Sequence, residues 1–244
     1  MTRYVALAAT VLVLAVTPAQ AAPPISAEEF AAKCSTGTYM VGFDLRVKGG
    51  TGTLTGDCII TLAEGVTLTF SNLTFDDVGV GCCAMIVADS LRDSRIVLSK
   101  ATIDLDGAVQ LAAGCCAGDG EPLHPEENGR VDARNSSVRG DTVELSASTA
   151  DDNGTVTVQN TSLEALSTSA FALNVRASAP GTGGSVDVKS SQLVSAGGIL
   201  INTDAAGRTT VRNTLLVAPG PIVITTGAGG TCTSSGNTPP VACT

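Results

Sequence analysis

A ten-residue pattern recurs six times along this chain and constrains its fold more than any other feature. In each copy the first and third positions are mostly apolar and the eighth is always apolar, as the alternation of a half-buried strand requires. The pattern therefore predicts two short strands separated by a polar corner. The six copies are VTLTFSNLTF from Val66, IVLSKATIDL from Ile96, VDARNSSVRG from Val131, VTVQNTSLEA from Val156, VDVKSSQLVS from Val186 and TTVRNTLLVA from Thr209.

The fifth positions of the last four copies predict a column of corner residues. Asn tolerates left-handed backbone and can bond to the neighbouring backbone, which suits a tight corner. Three of these positions are Asn and one is Ser. The column consists of Asn135, Asn160, Ser190 and Asn213.

Each interval between copies contains a third strand-like run, such as VELS from Val143 and LNVR from Leu173. The copies begin 23 to 35 residues apart, which leaves no room for a helix in addition. Three short strands cannot bury their own apolar face, whereas stacked units can. The repeat therefore predicts an all-β parallel solenoid of about six to seven coils over residues 38–230.

A coil of this length with three strands and a repeated corner Asn resembles the right-handed parallel β-helix of the pectate lyase-like superfamily. The resemblance covers residues 38–230 and matches no catalytic motif of that superfamily. It implies a right-handed β-helix. Lyases of the superfamily bind Ca²⁺ through acidic residues, use an arginine as the base and bind substrate in a groove along the third strand. If this chain were such a lyase, the resemblance would imply the same features here. Leucine-rich repeats are the alternative at a similar period, and their signature is missing.

The two ends differ from the repeat. Residues 1–21 combine a basic start, an apolar run of 12 residues and the small-residue pattern AQA, which predicts a signal peptide; a membrane span needs about 20 apolar residues. Residues 22–37 are expected to form an N-terminal cap, because Ser26 stands three residues before Glu29 in a capping-box pattern that opens a short helix. Residues 231–244 are expected to form a disulfide-pinned tail. The signal peptide predicts that the protein is secreted or periplasmic.

Eight Cys in an exported chain predict disulfides. Sequence proximity favours one bridge near each end of the chain and leaves two vicinal pairs to bridge to one another. Metal binding is the rival, but it usually requires CxxC spacing and His, and His124 is the one His. The four pairs are Cys34–Cys58, Cys232–Cys243, Cys82-Cys83 and Cys115-Cys116.

The composition limits the class of partner. The chain carries a net charge of -9, and its Lys and Arg form no cluster along the sequence. Nucleic acid and anionic membrane surfaces bind through such clusters, so we expect neither as a partner. No segment after the leader is long and apolar enough to span a membrane.

Acidic residues recur after the corner in the predicted outward positions. The eleventh position of the first three copies gives Asp76, Asp106 and Asp141, and the ninth gives Asp104 and Arg139 in the second and third. Carboxylates stacked in neighbouring coils repel one another. Either solvent screens them or Ca²⁺ binds among them, since Ca²⁺ takes several carboxylate oxygens.

The third strands place one polar patch on their outward side, formed by Glu144, Asn174 and Arg176. A single carboxylate is not the pair that glycoside hydrolysis requires. The chain also offers few aromatic rings on which sugar rings could pack.

These observations favour a secreted non-catalytic β-helix protein, a surface, adhesion or carbohydrate-binding module whose partner is a glycan or cell-surface component. The alternative is a polysaccharide lyase or hydrolase of the pectate lyase-like superfamily, with Glu144, Arg176 and Arg139 as the candidate catalytic residues. Apart from Ca²⁺ at the acidic column, no cofactor is expected.

Overall fold

A computed structural model describes residues 22–79, 81–89, 93–113, 129–148, 154–178 and 183–244. The predicted signal peptide at 1–21 lies outside the described residues. So do the vicinal pair Cys115-Cys116 and His124. The findings below concern the described part of the chain.

The strands stack in parallel into two sheets, one of eight strands and one of thirteen. The eight-stranded sheet is called ladder 3. The thirteen-stranded sheet contains two ladders, ladder 1 before the corner and ladder 2 after it, because two of its strands run through the corner and belong to both.

Two strands belong to both ladder 1 and ladder 2, and every other strand belongs to one ladder. The strands shared by ladders 1 and 2 are β5 (Thr67–Asp77) and β7 (Arg95–Asp104). Ladder 1 also contains β2 (Leu45–Lys48), β9 (Arg130–Arg134), β12 (Thr155–Gln159), β15 (Ser185–Lys189), β18 (Arg208–Arg212) and β21 (Thr231–Ser235). Ladder 2 also contains β3 (Thr51–Leu54), β10 (Ser137–Gly140), β13 (Ser162–Ala165), β16 (Gln192–Ser195) and β19 (Leu215–Val217). Ladder 3 contains β1 (Thr38–Val41), β4 (Cys58–Leu62), β6 (Met85–Asp89), β8 (Val109–Ala113), β11 (Val143–Ser148), β14 (Leu173–Ser178), β17 (Ile199–Thr203) and β20 (Ile222–Thr226).

The predicted all-β parallel solenoid of about six to seven coils with one short N-terminal helix is confirmed. Side chains alternate between its interior and its surface, as the pleat of a strand requires. In β12, for example, Val156 and Val158 are buried while Thr155, Thr157 and Gln159 are half-buried on the outer side. The narrow interior is filled by such aliphatic side chains from every coil.

The corner between ladders 1 and 2 forms a column of residues with positive φ. The four residues predicted there have φ between 48° and 50°. Two further residues of the column were missed, Asn72 and Lys100, with φ of 50° and 53°. Gly49 and Gly236 continue the column in the coils at the two ends, with φ of 76° and 64°. The four predicted members are Asn135, Asn160, Ser190 and Asn213.

A column of buried side-chain hydroxyl groups lies directly after the corner. The Ser136 hydroxyl donates to the Arg134 carbonyl at 2.8 Å and accepts from the Ala101 backbone N–H at 3.2 Å. Thr161 repeats this arrangement one coil further, where its hydroxyl accepts from the Ser136 N–H at 3.4 Å. Because a buried N–H without a partner is costly, the hydroxyl groups of Ser136, Thr161 and Ser191 each satisfy a backbone N–H group of the adjacent coil near the corner.

The N-terminal end is covered by α1 (Ala27–Cys34), whose first turn is capped by the Ser26 side chain accepting from the Glu29 N–H at 3.2 Å. Phe30 of α1 packs against Phe70 and Phe75 with ring centroids 5.3 and 5.5 Å apart. The disulfide Cys34–Cys58 joins the end of α1 to β4, as sequence proximity predicted.

The C-terminal residues continue the strand pairing past Gly230. β21 pairs with β18, and single bridges join Thr238 to Leu215 and Cys243 to Ile224, so the tail contacts all three ladders. The disulfide Cys232–Cys243 closes this last turn of the chain, again as proximity predicted.

The predicted bridge between the two vicinal Cys pairs is wrong for the described pair, because Cys82 and Cys83 are bonded to each other. Sequence alone does not distinguish a bond within a vicinal pair from bonds between two such pairs. None of the described helices has the length and apolar character needed to cross a bilayer.

Candidate functional site

The outer side of ladder 1 is a flat array of side chains from successive coils. In β9, β12, β15, β18 and β21 the first, third and fifth residues point outward, and the strand register aligns them into three columns. Neighbouring residues in a column are about 4.7–4.9 Å apart, and neighbouring columns about 6.5 Å. We call the whole outer side of ladder 1 the basic face.

The basic face gathers most of the cationic residues of an acidic chain. Eight of the 14 Lys and Arg residues project from it, against three acidic residues, Asp44, Asp132 and Asp187. The expectation that the chain has no cationic cluster is therefore wrong for the folded surface. The cationic residues are Arg46, Lys48, Arg95, Arg130, Arg134, Lys189, Arg208 and Arg212.

This cluster is invisible along the sequence because of strand geometry. Arg130 and Arg134, like Arg208 and Arg212, stand four residues apart at the two ends of a strand. Their neighbours in the same columns belong to other coils, more than 20 residues away in sequence. The one available signal was the Arg-x-x-x-Arg spacing that begins directly before two copies of the repeat.

Four residues in the middle of the basic face form a closed cluster: Arg95, Arg130, Asp132 and Arg134. Asp132 points outward, yet its side chain is 1% exposed because the arginines cover it. Arg95 Nη2 lies 2.6 Å from Asp132 Oδ2 and Arg130 Nε 2.8 Å from the same oxygen. Arg134 Nη2 is 3.9 Å from Oδ1. The carboxylate is thus shared among guanidinium groups of the same face.

The arginines also set the protonation of Asp132. Burial alone would raise the pKa of this carboxyl group, but the hydrogen bonds donated by Arg130 and Arg95 outweigh burial and hold the pKa below its ordinary value. Asp132 therefore stays ionised, and it keeps neighbouring arginines in place despite their mutual repulsion.

Six residues nearer the C-terminal end form an open cluster, which lines a groove of about 280 Å³. Lys189, Arg208 and Arg212 are exposed, and so is Asp187. No ion pair joins any of these four to another described residue. Ser185 and Thr210 complete the groove with hydroxyl groups.

A second groove, of about 440 Å³, lies at the N-terminal end of the same face. Asp44, Arg46, Thr67 and Thr69 line it together with residues 22–24. The Asp44 carboxylate accepts from the Thr67 backbone N–H at 2.8 Å, which fixes the acid at its edge. Grooves at both ends, with the closed cluster between them, make the basic face an elongated polar surface.

The predicted acidic column is wrong for Asp76. Phe75 pairs with Ile103, which places Asp76 in register with Asp104 and not with Asp106. The predicted alignment of the first copy with the second is wrong by two residues, because Leu68 and not Val66 pairs with Ile96. The same error hid Asn72 from the corner column. Among the described residues, no three acidic, His or Cys side chains are grouped as a metal ion would require.

The remaining acidic candidates have other contacts or are exposed to solvent. Asp104 accepts from Arg139 Nη1 at 2.6 Å. The backbone N–H of Asp106 donates to the carboxylate of Asp77 at 2.5 Å. Asp141 is exposed on the turn that follows β10. These carboxylates do not form the single outward row that the sequence predicted.

Arg139, a candidate catalytic base, is held in its charged form. It lies between Asp104 and Glu164, with Nε 3.7 Å from the Glu164 carboxylate. The hydrogen bond to Asp104 raises the pKa of the Arg139 guanidinium, and the charges of Asp104, Glu164 and Asp106 act in the same direction. A group whose proton is held more tightly is less suited to accept one.

Glu144, Asn174 and Arg176 lie together on the outer side of ladder 3, where the strand register matches the predicted columns. Arg176 Nη2 is 2.7 Å from Glu144 Oε1, so acid and base candidates are paired with one another. Asn174 donates to the Phe171 carbonyl at 2.9 Å. Arg139 projects from ladder 2, so the three catalytic candidates do not share one site.

Comparison of the chain with protein-family models, with curated proteins and with solved structures returned no match. The structure supports the parallel β-solenoid as such, without assigning it to a family.

Proposed function

We propose that this protein is an extracellular, non-catalytic module that binds an acidic polysaccharide along the basic face. The observation that carries the proposal is the segregation of charge: eight cationic side chains occupy one face of a chain whose net charge is -9. Such a face attracts a polyanion locally while the rest of the surface repels it, which favours one binding orientation.

The layout of the face favours a polymer with sparse charges. Between the closed and the open clusters lies one uncharged coil, which presents Thr155, Thr157 and Gln159. Duplex DNA carries about one charge per 1.7 Å, and single strands bind by stacking on aromatic rings; no outward residue of the described ladder 1 strands is aromatic. Hydroxyl and amide groups between cationic groups suit a glycan with about one anionic group per sugar.

An extracellular location agrees with the covalent structure. Three disulfides join the six described cysteines, and disulfides persist in oxidising compartments. The predicted leader at 1–21 would direct the chain there. We extend the fold-level resemblance to the pectate lyase-like superfamily no further than the solenoid.

The catalytic alternative has weaker support. It needs a free acid or base on a groove, whereas Glu144 is paired with Arg176 and Arg139 with Asp104. A non-catalytic binding role needs only exposed cationic side chains, which the basic face has.

The test compares two double variants that change the net charge equally. Arg208→Ala/Arg212→Ala removes two cationic groups from the basic face, and Arg139→Ala/Arg176→Ala removes two from the other ladders. Isothermal titration with a short acidic oligosaccharide, carrying one carboxylate per sugar, should show at least tenfold weaker binding for the first variant, since each charged hydrogen bond contributes about 1.5–3 kcal/mol. The second should bind within about twofold of the wild type.

Two results would contradict the proposal. One is equal affinity for the acidic oligosaccharide and for a neutral one with the same backbone. The other is an equal loss of affinity in the two double variants, which would mean that overall charge and not the basic face controls binding. Release of unsaturated or reducing ends during incubation would support the catalytic alternative instead.

A further inference from the structure

The closed and open clusters repeat one arrangement in two different states. In each, an acidic residue occupies the middle column of ladder 1 and cationic residues occupy the outer columns. In the closed cluster Asp132 is flanked on its own strand by Arg130 and Arg134. In the open cluster Asp187 shares its strand with Lys189, and Arg208 and Arg212 lie on the next one.

The two acids differ in what they contact. Asp132 is almost completely buried and bonds to Arg95 and Arg130. Asp187 is exposed, and no described cationic side chain forms an ion pair with it. The reason is the identity of the neighbours in the first column, where Asp132 has two arginines and Asp187 has Ser185 and Arg208.

The open cluster therefore presents both charges to a ligand in a known layout. The register pairs Ser185 with Arg208, Asp187 with Thr210 and Lys189 with Arg212, so the six side chains form two rows of three. The rows are about 4.8 Å apart and the outer columns about 13 Å apart. Cationic groups occupy three corners of this rectangle, and Asp187 with Thr210 occupies its middle.

We propose that Asp187 determines specificity within the polysaccharide site, selecting anionic groups that have a hydroxyl donor beside them and disfavouring densely charged polymers. The inference rests on the proposed function. Arg208, Arg212 and Lys189 bind anions at the outer columns, and guanidinium groups can do so through paired hydrogen bonds. Asp187, which only accepts hydrogen bonds when ionised, binds a neutral hydroxyl group between them.

The same carboxylate repels a second anion at the middle column. A sulfate or carboxylate placed there would lie within about 6.5 Å of Asp187, where like charges at the surface of a protein disfavour binding. A polymer with a sulfate on most hydroxyls loses the hydroxyl donor and gains this repulsion. Carboxylated glycans and polyol phosphates share the favoured chemistry of one anion with adjacent hydroxyls.

The test uses the isosteric substitution Asp187→Asn, with Asp104→Asn on ladder 2 as a control that changes the net charge equally. Each protein is titrated with three short oligomers: a carboxylated glycan, the same glycan after sulfation of its hydroxyls, and poly(glycerol phosphate). Matching thermal melting curves establish that the exposed substitution leaves the fold intact.

We expect the wild type to bind the carboxylated oligomer more tightly than its sulfated form. Asp187→Asn should weaken binding of the carboxylated oligomer about three- to tenfold and strengthen binding of the sulfated one, whereas Asp104→Asn changes neither preference. A loss of poly(glycerol phosphate) binding in Asp187→Asn as well would add polyol phosphates to the ligand class, whereas a loss confined to the carboxylated oligomer would identify carboxylated glycans as the source of the anion; both results support the proposal.

The inference is overturned if the wild type prefers the sulfated oligomer, or if Asp187→Asn strengthens binding of all three oligomers by a similar factor, because the acid would then act only through net charge. In both cases the acidic oligomers still bind, so the proposed function stands. Failure of the wild type to bind any of the three overturns the proposed function itself.

Discussion

Asn160 stands at the corner between β12 and β13 with φ of 48°. Left-handed backbone costs most residues with a side chain about 1–2 kcal/mol, and Asn somewhat less because its short polar side chain bonds locally. Its Nδ2 donates to Asn135 Oδ1 in the adjacent coil at 3.3 Å. Asn160 thus has two roles: it adopts the left-handed conformation of the corner, and it bonds to the corner residue of the adjacent coil.

Substitution at this position separates the two roles. Asn160→Ala should lower the free energy of unfolding by about 1–2 kcal/mol, because Ala disfavours positive φ. Asn160→Gly should lose much less, since glycine adopts this conformation readily. Chemical denaturation measures both. Equal losses would show that the bond to Asn135, absent from both variants, matters more than the backbone conformation.

The charge of the Asp132 side chain contributes to the stability of the fold. The pKa of its carboxyl group in the folded protein lies below its ordinary value, so ionised Asp132 stabilises the fold above the ordinary Asp pKa of about 3.9. This stabilisation is lost as the pH falls through the folded-state pKa. Asp132→Asn should reduce stability at pH 7 by about 1–3 kcal/mol, less than for a fully buried pair because the arginines are 42–50% exposed.

The pH dependence provides the check. The difference in melting temperature between wild type and Asp132→Asn should be constant from about pH 7 to pH 5 and should shrink below about pH 4, where the Asp132 carboxylate of the unfolded chain begins to protonate and that of the folded protein is still ionised. A difference that stays the same down to the lowest pH at which the protein remains folded would contradict the role of the charge.

At the scale of elements, the contact between α1 and the first coils depends on one missing side chain. A Cβ on Gly52 in β3 would lie 2.4 Å from the Ala27 carbonyl oxygen and 2.8 Å from the Phe75 ring. Strand β3 can therefore approach α1 only with glycine at this position, which lets Phe30 reach the aromatic cluster.

Gly52→Ala should displace α1 and lower the free energy of unfolding by about 1–3 kcal/mol, the usual cost of forcing an extra group into a packed contact. Gly56→Ala is the matched control, because a Cβ there would meet no atom within 4 Å. Denaturation of the two variants checks the prediction, and hydrogen exchange in α1 localises it. Similar stabilities for both variants would show that α1 is not packed as tightly as described.

The elements also show what the sequence can predict. Ladder 3 could be aligned correctly because its strands are short apolar runs bounded by turns, and the pairing of Glu144 with Asn174 follows. The alignment from Ile96 onward was also correct, as the pairing of Ile96 with Val131 shows. For β5, which runs through its corner without a break, Leu68 and the apolar residue directly before the strand, Val66, offered two equivalent registers, and pattern alone did not separate them.

At the scale of the whole molecule, charge is distributed by face and not by segment. Net charge and sequence runs predict a surface that avoids polyanions, whereas stacking coils places cationic residues from distant repeats side by side. Such a surface could not be predicted without the register. Each coil contributes one residue to a column, so charged residues of the same column come close together only along the solenoid axis.

Binding through such a face should depend strongly on salt. The affinity for an acidic oligosaccharide should fall on the order of tenfold between 50 and 200 mM salt if about three cationic groups contact the ligand. Arg208→Ala/Arg212→Ala should flatten this dependence. Titration at several salt concentrations measures it, and an affinity independent of salt would indicate uncharged recognition on another part of the surface.

The central claim is that ligand binds to the basic face, and amide chemical-shift mapping by nuclear magnetic resonance tests it most directly. On titration with a short carboxylated oligosaccharide, the account predicts that the largest shifts fall in β15 and β18, around Asp187, Lys189, Arg208 and Arg212. Shifts centred on Glu144 and Arg176 of ladder 3, or on Asp104 and Arg139 of ladder 2, with the strands of ladder 1 unaffected, would contradict it.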